Sequence, residues 1–242
     1  MAPLRVDLWV NSMIAIYILA PLSIILGTLS GYFNLKGQPL YRIFTKGLAS
    51  LLFIAIGLIA TYLTGASLYA LLVLGALILG TIGDIYLCMN DKLALKEKAN
   101  YLFFIGGTCF FAGHVLFAVV YLACVPFNLY LIPAVLVIPV LLAITLILGK
   151  KKISLGKLTP FAFCYGIMLN LMLVVTINAF IRYPNTPFGI MSLIAGILFA
   201  VSDGSLLFKE FSHLKNNKIL IYVVLITYYV AQCLFSLSIL VY

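Results

Sequence analysis

Residues 188–208 read FGIMSLIAGILFAVSDGSLLF, an apolar run in which Asp203 is the only charged side chain. A helix needs about 20 mostly apolar residues to cross the roughly 30 Å of hydrocarbon in a bilayer. The run therefore predicts a membrane-spanning helix. It also places a carboxylate where hydrocarbon cannot solvate it, and that carboxylate needs an explanation of its own.

Seven further apolar runs accompany this one, so the sequence predicts an all-α, polytopic transmembrane bundle of eight helices within a single domain, residues 1–242. The predicted spans are 8–33, 43–63, 67–89, 101–124, 128–148, 159–181, 188–208 and 219–241. Hydrophobic residues make up 65% of the chain and charged residues only 9%, which excludes a water-soluble fold. The first run, from about Leu8 to Phe33, is too long for the apolar core of a cleaved signal peptide.

The 15 basic residues are divided very unevenly between the two sides of the predicted bundle. The opposite side holds only Arg5 and Arg182, whereas the first, third, fifth and seventh connections hold the other thirteen: Lys36, Arg42, Lys46, Lys92, Lys96, Lys98, Lys150, Lys151, Lys152, Lys157, Lys209, Lys215 and Lys218. Cytoplasmic loops carry such an excess. We therefore expect the basic loops in the cytoplasm, both termini outside and, in a bacterium, a place in the inner membrane. The net charge of +9 then requires no nucleic-acid partner.

A weak internal repeat relates the two halves of the chain. Residues 77–84 (LILGTIGD) resemble 195–203 (AGILFAVSD), and residues 110–117 (FFAGHVLF) resemble 228–235 (YYVAQCLF). The offset is 119 between Asp84 and Asp203, and 118 between His114 and Gln232. A duplication of four helices, about 1–124 and 125–242, would give two parallel halves of the same orientation. Chance similarity between apolar helices is the alternative.

Asp84 and Asp203 lie inside apolar spans, whereas the other four acidic residues lie at termini or in loops. An intramembrane carboxylate costs several kcal/mol unless it is protonated, paired or hydrated, so it indicates a functional site. Both acids lie six residues, roughly 9 Å, before the cytoplasmic end of their spans. Small residues precede both at helical spacing, which lets helices approach closely. We expect both acids to face one cleft; a purely structural role as hydrogen-bonded acids is the alternative.

Seven other polar residues lie where they could line that cleft: Lys46, His114, Tyr165, Asn170, Tyr228, Tyr229 and Gln232. Each has a simpler interpretation as well, such as a lysine extending to the interface or a histidine bonded within the bundle. The two histidines and five cysteines show no metal-ligand spacing, so we expect neither a metal site nor a disulfide framework.

Four short motifs in this order resemble the YhhN family of integral membrane proteins: Gly83-Asp84, Phe110 to His114, Ser202-Asp203 and Tyr228 to Gln232. That family includes lysoplasmalogenases, which cleave the vinyl-ether bond of lysoplasmalogens to a fatty aldehyde and glycerophosphoethanolamine or glycerophosphocholine. The resemblance implies that Asp84 and Asp203 are the catalytic acids, with Lys46, His114, Tyr165, Tyr229 and Gln232 around them. The chain departs from the family at Gly47, where proline is frequent, and at Phe117, where an aromatic hydroxyl is frequent.

The implied reaction suits two carboxyl groups. One carboxyl, kept neutral, protonates the alkenyl carbon, and the other, ionised, stabilises the positive charge and activates water. This chemistry requires no cofactor, and its partners are a lysophospholipid substrate and the surrounding membrane lipids. Two other functions remain open at this stage: a proton- or cation-coupled transporter, in which the same acids relay protons, and a non-catalytic lipid-binding protein.

Overall fold

The computed structural model describes residues 2–92, 99–137, 140, 156–212 and 217–242. The described chain contains eight α-helices and no strand: α1 (Ala2–Leu35), α2 (Pro39–Thr64), α3 (Leu68–Lys92), α4 (Ala99–Cys124), α5 (residues 132–137), α6 (Thr159–Arg182), α7 (Pro187–Phe211) and α8 (Lys218–Val241). Short 3-10 helices cover Leu129–Leu131 and Gly156–Leu158. The all-α prediction is therefore confirmed.

Seven of the described helices, all except α5, are long and apolar enough to cross a membrane. These seven confirm the corresponding predicted spans and a multi-pass membrane protein. In the fifth predicted span, 128–148, residues 138, 139 and 141–148 lie outside the described residues, and so do several lysines of the basic connections: Lys96, Lys98, Lys150, Lys151, Lys152 and Lys215.

Local sequence accounts for where the helices begin and end. Pro39 and Pro187 stand in the first turns of α2 and α7, where a missing N–H costs no helical hydrogen bond. The Thr186 hydroxyl oxygen accepts a hydrogen bond from the Gly189 N–H at 3.1 Å and so caps α7. Gly65, at φ +92°, follows the last residue of α2 in a conformation that side chains disfavour.

Contacts between neighbouring helices close into a ring in the order α1, α2, α3, α4, α6, α7, α8 and back to α1. Helix α8 also contacts α2 and α3, so it lies nearest the middle of the bundle. Aromatic rings fill the interior there: the Phe117 and Phe235 rings stack with centroids 4.2 Å apart, and Phe199 packs edge-on against both Phe117 and Tyr228. The core is thus a continuous layer of rings between the two ends of the bundle.

Glycines bring several helices into backbone contact. A Cβ on Gly83 would lie 3.1 Å from the Gly106 carbonyl oxygen, so α3 and α4 touch closely. A Cβ on Gly196 would lie 2.0 Å from the Thr176 hydroxyl oxygen, so α6 and α7 do the same. Small residues at helix contacts are the usual means of close packing in membranes.

A chain of hydroxyl groups joins four helices at the end of the bundle opposite the two acids. The Tyr69 hydroxyl lies 2.7 Å from the Ser238 hydroxyl and donates to the Tyr121 hydroxyl at 3.2 Å. The Tyr121 hydroxyl donates in turn to the Ser192 hydroxyl at 2.8 Å. This far-end cluster (Tyr69, Tyr121, Ser192, Ser238) links α3, α4, α7 and α8.

Candidate active site

Asp84 and Asp203 lie at the same depth near one end of the bundle. Each is eight residues before the last residue of its helix, Lys92 in α3 and Phe211 in α7, which is roughly 12 Å of helix. Short connections make α2 antiparallel to α3 and α6 antiparallel to α7. The first turns of α2 and α6 therefore lie beside the acids, and we call this end of the bundle the acid end.

Asp84 has a cation and a hydroxyl donor on α2 as its partners. The Lys46 ammonium nitrogen lies 2.8 Å from Asp84 Oδ1, and the Ser50 hydroxyl donates to Oδ2 at 2.8 Å. Lys46 and Ser50 are one helical turn apart, so one face of α2 supplies both contacts. The Asp84 side chain is almost completely buried, with 1% exposure. A buried carboxylate at this depth is tolerable as an anion because the lysine charge compensates it.

Tyr229 stands behind this ion pair. Its hydroxyl donates to the Lys46 carbonyl oxygen at 3.2 Å and lies 3.4 Å from the Ser50 hydroxyl. The tyrosine itself has no exposed surface. It therefore holds α8 against the turn of α2 that carries the partners of Asp84.

Asp203 has neutral or titratable partners instead of a lysine. His114 Nε2 lies 3.0 Å from Asp203 Oδ2, and the Tyr165 hydroxyl donates to the same oxygen. The other imidazole nitrogen, Nδ1, lies 3.3 Å from the Met172 sulfur. A thioether only accepts hydrogen bonds, so this contact assigns a proton to Nδ1. Nε2 also lies 3.0 Å from the Tyr165 hydroxyl, so imidazole, phenol and carboxyl form one hydrogen-bonded group.

The two acids line one polar cavity of about 40 Å³. Its charged lining is Arg42, Lys46, Asp84, Asp203, Lys209 and Glu210, three cations and three acids. All three cations are buried, and Lys209 pairs with Glu210. This polar cavity is large enough to hold water, since about one probe sphere of 10–15 Å³ suffices for a molecule.

A second, apolar cavity of about 250 Å³ lies between α4, α6 and α7. Its lining includes Phe103, Phe161, Leu169, Leu207 and Phe211. Asp203 lines both cavities and therefore lies at their junction. A charged chamber that adjoins an apolar one is the shape expected for an amphipathic ligand.

The structure distributes the nine residues that the sequence singled out over three places. Asp84, Asp203, Lys46 and Tyr228 line the polar cavity, whereas Tyr165 and Asn170 line the apolar cavity. His114, Tyr229 and Gln232 are buried and line neither cavity.

Among the described residues, Asn170 makes its hydrogen bond away from the two acids. Its amide nitrogen donates to the Gly166 carbonyl oxygen of its own helix at 2.7 Å. The residue therefore bonds to its own backbone within an apolar wall.

Sequence reasoning missed Arg42, Ser50 and Lys209. Arg42 and Ser50 lie four residues on either side of Lys46, so helical spacing alone places all three on one face of α2. That spacing could have identified Arg42 and Ser50. Lys209 gave no comparable signal, because a lysine at a helix end also satisfies the charge bias of cytoplasmic loops.

Both acids have their nearest partners at matched sequence positions. Lys46 and Tyr165 are separated by 119 residues, the same offset that separates Asp84 and Asp203. Lys46 of α2 contacts Asp84 of α3, and Tyr165 of α6 contacts Asp203 of α7. The two acids thus occupy similar local frameworks that differ in the charge of the partner.

Searches of curated proteins and of solved structures gave no match. The YhhN family profile matches residues 41–239, which is well over half of the chain and includes all nine residues that the sequence singled out. The protein therefore belongs to the YhhN family.

Proposed function

We propose that the protein is a lysoplasmalogenase, which hydrolyses the vinyl-ether bond of a lysoplasmalogen. The observation that carries the proposal is the position of Asp203, which lies between the polar and apolar cavities and bonds to His114 and Tyr165. Membership of the YhhN family supports the proposal, because that family includes lysoplasmalogenases.

The two cavities suit the two parts of such a lipid. The single alkenyl chain fits the apolar cavity, whose walls are mostly aromatic and aliphatic. The phosphodiester would lie at the polar cavity beside Arg42, Lys46 and Lys209, because guanidinium and ammonium groups bind phosphate oxygens. The vinyl ether joins these parts of the lipid, so it would lie beside Asp203.

Asp203 is the better proton donor of the two acids. Among the described residues, its hydrogen bonds all end at Oδ2, which leaves Oδ1 for the substrate. His114 Nε2 lies 3.0 Å from Oδ2, so the imidazole can relay a proton to this carboxyl. Asp84, by contrast, has Lys46 on one oxygen and Ser50 on the other, and both partners favour the anion.

These roles give a balanced hydrolysis. Asp203 donates a proton to the alkenyl carbon distal to oxygen, and the carbon bonded to oxygen becomes an oxocarbenium ion. Water adds to that ion while Asp84 accepts a proton from the water. The hemiacetal then breaks its bond to the glycerol oxygen: Asp84 gives its proton to that oxygen as the bond breaks, and the hemiacetal hydroxyl gives its proton to Asp203. The products are the fatty aldehyde and a glycerol hydroxyl, and both acids regain their starting protonation.

The proposal is tested with purified protein and three lysolipids that share one headgroup. The first carries a vinyl-ether chain, the second a saturated ether chain of the same length and the third an acyl chain. Only the vinyl ether should release a product, because only its double bond can accept the proton. In heavy water, aldehyde trapped at once should carry one deuterium beside the carbonyl group, with aldehyde added to inactive protein as the exchange control.

The result also separates this proposal from its rivals. Protein that binds the vinyl-ether lipid without releasing aldehyde would favour a lipid-binding protein. Release of fatty acid from the acyl lipid would indicate a different hydrolase. A proton flux across vesicles driven by a solute gradient, with no cleavage, would indicate a transporter.

A further inference from the structure

Three buried side-chain atoms close to Asp84 make no hydrogen bond of good geometry within the described chain: Asp84 Oδ1, Tyr228 Oη and Gln232 Oε1. The Tyr228 hydroxyl nevertheless interacts with both Asp84 and Gln232, so the three groups are neighbours. Asp84 Oδ1 forms an ion pair with Lys46 at 2.8 Å, and its second lone pair can accept a further hydrogen bond. The three residues are at most 4% exposed. Buried polar atoms nearly always have a protein or water partner. Three such atoms in one region therefore indicate a small polar ligand.

The positions of the three side chains converge on the contact between α3 and α8. Tyr228 and Gln232 are one turn apart on α8, and Gly80 is one turn before Asp84 on α3. A Cβ on Gly80 would lie 2.8 Å from Gln232 Nε2 and 3.2 Å from Tyr228 Oη. Both polar groups thus approach the backbone of α3 just beside Asp84. Asp84 and Tyr228 also line the polar cavity, so the region between the three side chains adjoins a space that is large enough for water.

The chemistry of the three groups suits a water molecule. The Asp84 carboxylate and the Gln232 carbonyl oxygen can each accept a hydrogen bond, and the Tyr228 hydroxyl can donate one. A water molecule bound by these groups would donate twice and accept once, and buried waters typically make about three hydrogen bonds. These three hydrogen bonds fix the orientation of the water molecule and therefore the direction of its remaining oxygen lone pair.

We propose that Asp84, Tyr228 and Gln232 bind and orient the water that attacks the oxocarbenium ion. The inference rests on the proposed lysoplasmalogenase activity and extends it with two water-binding side chains. When the water oxygen bonds to the cationic carbon, one water proton passes to Asp84 and the other remains on the hemiacetal hydroxyl. Gly80 keeps this place open, since any larger residue would push against Tyr228 and Gln232.

A competing nucleophile tests the water site. Methanol can add to the same cation while Asp84 takes its proton, and the product is then a mixed acetal that retains the glycerol. Wild-type protein, with its oriented water, should give mostly aldehyde in buffer containing methanol. Tyr228→Phe and Gln232→Ala should lower kcat by about tenfold or more, leave KM unchanged and raise the ratio of acetal to aldehyde several-fold. Mass spectrometry measures both products in one sample.

The control is Tyr121→Phe, which removes a buried tyrosine hydroxyl from the far-end cluster. It should leave the acetal ratio unchanged, because the far-end cluster lies at the opposite end of the bundle from the water site. Tyr228→Phe retains the ring that packs against Phe53, Phe110 and Phe199, so its fold should survive even if Gln232→Ala does not fold.

Two results would overturn the inference. The first is cleavage by the wild type together with a folded Tyr228→Phe variant whose kcat and acetal ratio equal those of the wild type. This result would contradict the water site but not the proposed function. The second is a variant with a raised KM and an unchanged acetal ratio. It would also contradict the water site, because it would indicate that Tyr228 and Gln232 bind a hydroxyl group of the lipid. A wild type that cleaves no vinyl ether would overturn the proposed function together with this inference.

Discussion

Asp84 and Asp203 are the same residue type at the same depth, yet their neighbours give them different properties. The Lys46 ammonium group and the Ser50 hydroxyl surround Asp84, whereas imidazole and phenol contact Asp203. A carboxylate beside a buried cation remains an anion, and a carboxyl beside histidine can exchange a proton. In the proposed reaction, this difference in partners separates the acid that accepts a proton from the acid that donates one.

Asp84→Asn and Asp203→Asn should each remove nearly all aldehyde release, with losses of about 10²–10⁴-fold in kcat. Asparagine keeps the shape of the side chain but can neither donate a carboxylic proton nor carry the charge. The losses should not add in the double variant, since residues that act as one unit are disabled by losing either. The measurement is aldehyde release by purified variants, with lysolipid binding followed alongside.

The matched control for these variants is Asp7→Asn, which changes an exposed acid on α1. Its activity should equal that of the wild type. Substantial aldehyde release by both aspartate variants would contradict the assignment of either acid to catalysis.

Among individual residues, the sequence identified the two acids but not all of the side chains around them. Charged residues are so rare inside apolar spans that each one stands out, which identified Asp84, Asp203 and Lys46. Ser50 did not stand out, because a serine inside a membrane helix usually bonds to its own backbone. Ser50 does contact the Lys46 carbonyl oxygen at 3.0 Å, in addition to Asp84.

The helix pairs α2–α3 and α6–α7 hold Asp84 and Asp203 in similar arrangements. The equal offset of 119 for the acids and for Lys46 and Tyr165 agrees with a duplication of four helices. The helix contacts follow the same relation, since α2 packs on α8 as α6 packs on α4. The duplication remains a prediction, and it would explain how one framework acquired two acids with different partners.

Gly204→Leu should narrow the apolar cavity and weaken use of a long alkenyl chain. Gly204 lines this cavity next to Asp203, and a Cβ there would meet no atom within 4 Å. A leucine side chain would displace about two methylenes of the chain, each worth about 0.8 kcal/mol when buried. We expect kcat/KM for a long-chain lysoplasmalogen to fall by about tenfold, with a smaller loss for a short chain.

Gly47→Leu provides the matched control. Gly47 is also a helical glycine next to a site residue, and a Cβ there would also meet no atom within 4 Å, but it lines neither cavity. Its kcat/KM should be unchanged at both chain lengths. Equal losses in the two variants would show that the apolar cavity does not hold the chain.

Helix positions followed readily from sequence, because hydrocarbon thickness fixes the length of an apolar run. The predicted span 188–208, for example, lies inside α7, Pro187–Phe211. The apolar cavity could not be predicted in the same way. Its walls come from α4, α6 and α7, and the sequence does not show that these three helices meet or that Gly204 leaves space beside Asp203.

For the molecule as a whole, the distribution of basic residues predicts the orientation in the membrane. With the basic connections in the cytoplasm, the acid end faces the cytoplasm and the far-end cluster faces outward. In a cysteine-free background, Gln38→Cys should resist an impermeant thiol reagent in intact cells, and Asn185→Cys should react with it. Both positions are exposed connections, at opposite ends of the bundle.

Disruption of the membrane serves as the control, because it should make both cysteines equally reactive. Labelling of Gln38→Cys from outside intact cells, with Asn185→Cys protected, would reverse the orientation. It would also place the polar cavity on the other side of the membrane.

The far-end cluster has a mechanical consequence for how a lipid enters. Hydroxyl contacts among Tyr69, Tyr121, Ser192 and Ser238 clamp four helices at one end of the bundle, whereas both cavities lie at the other end. Helices that are joined at one end can separate most at the other end. An opening that admits a lipid chain from the bilayer would then be widest at the acids and narrowest at the far-end cluster.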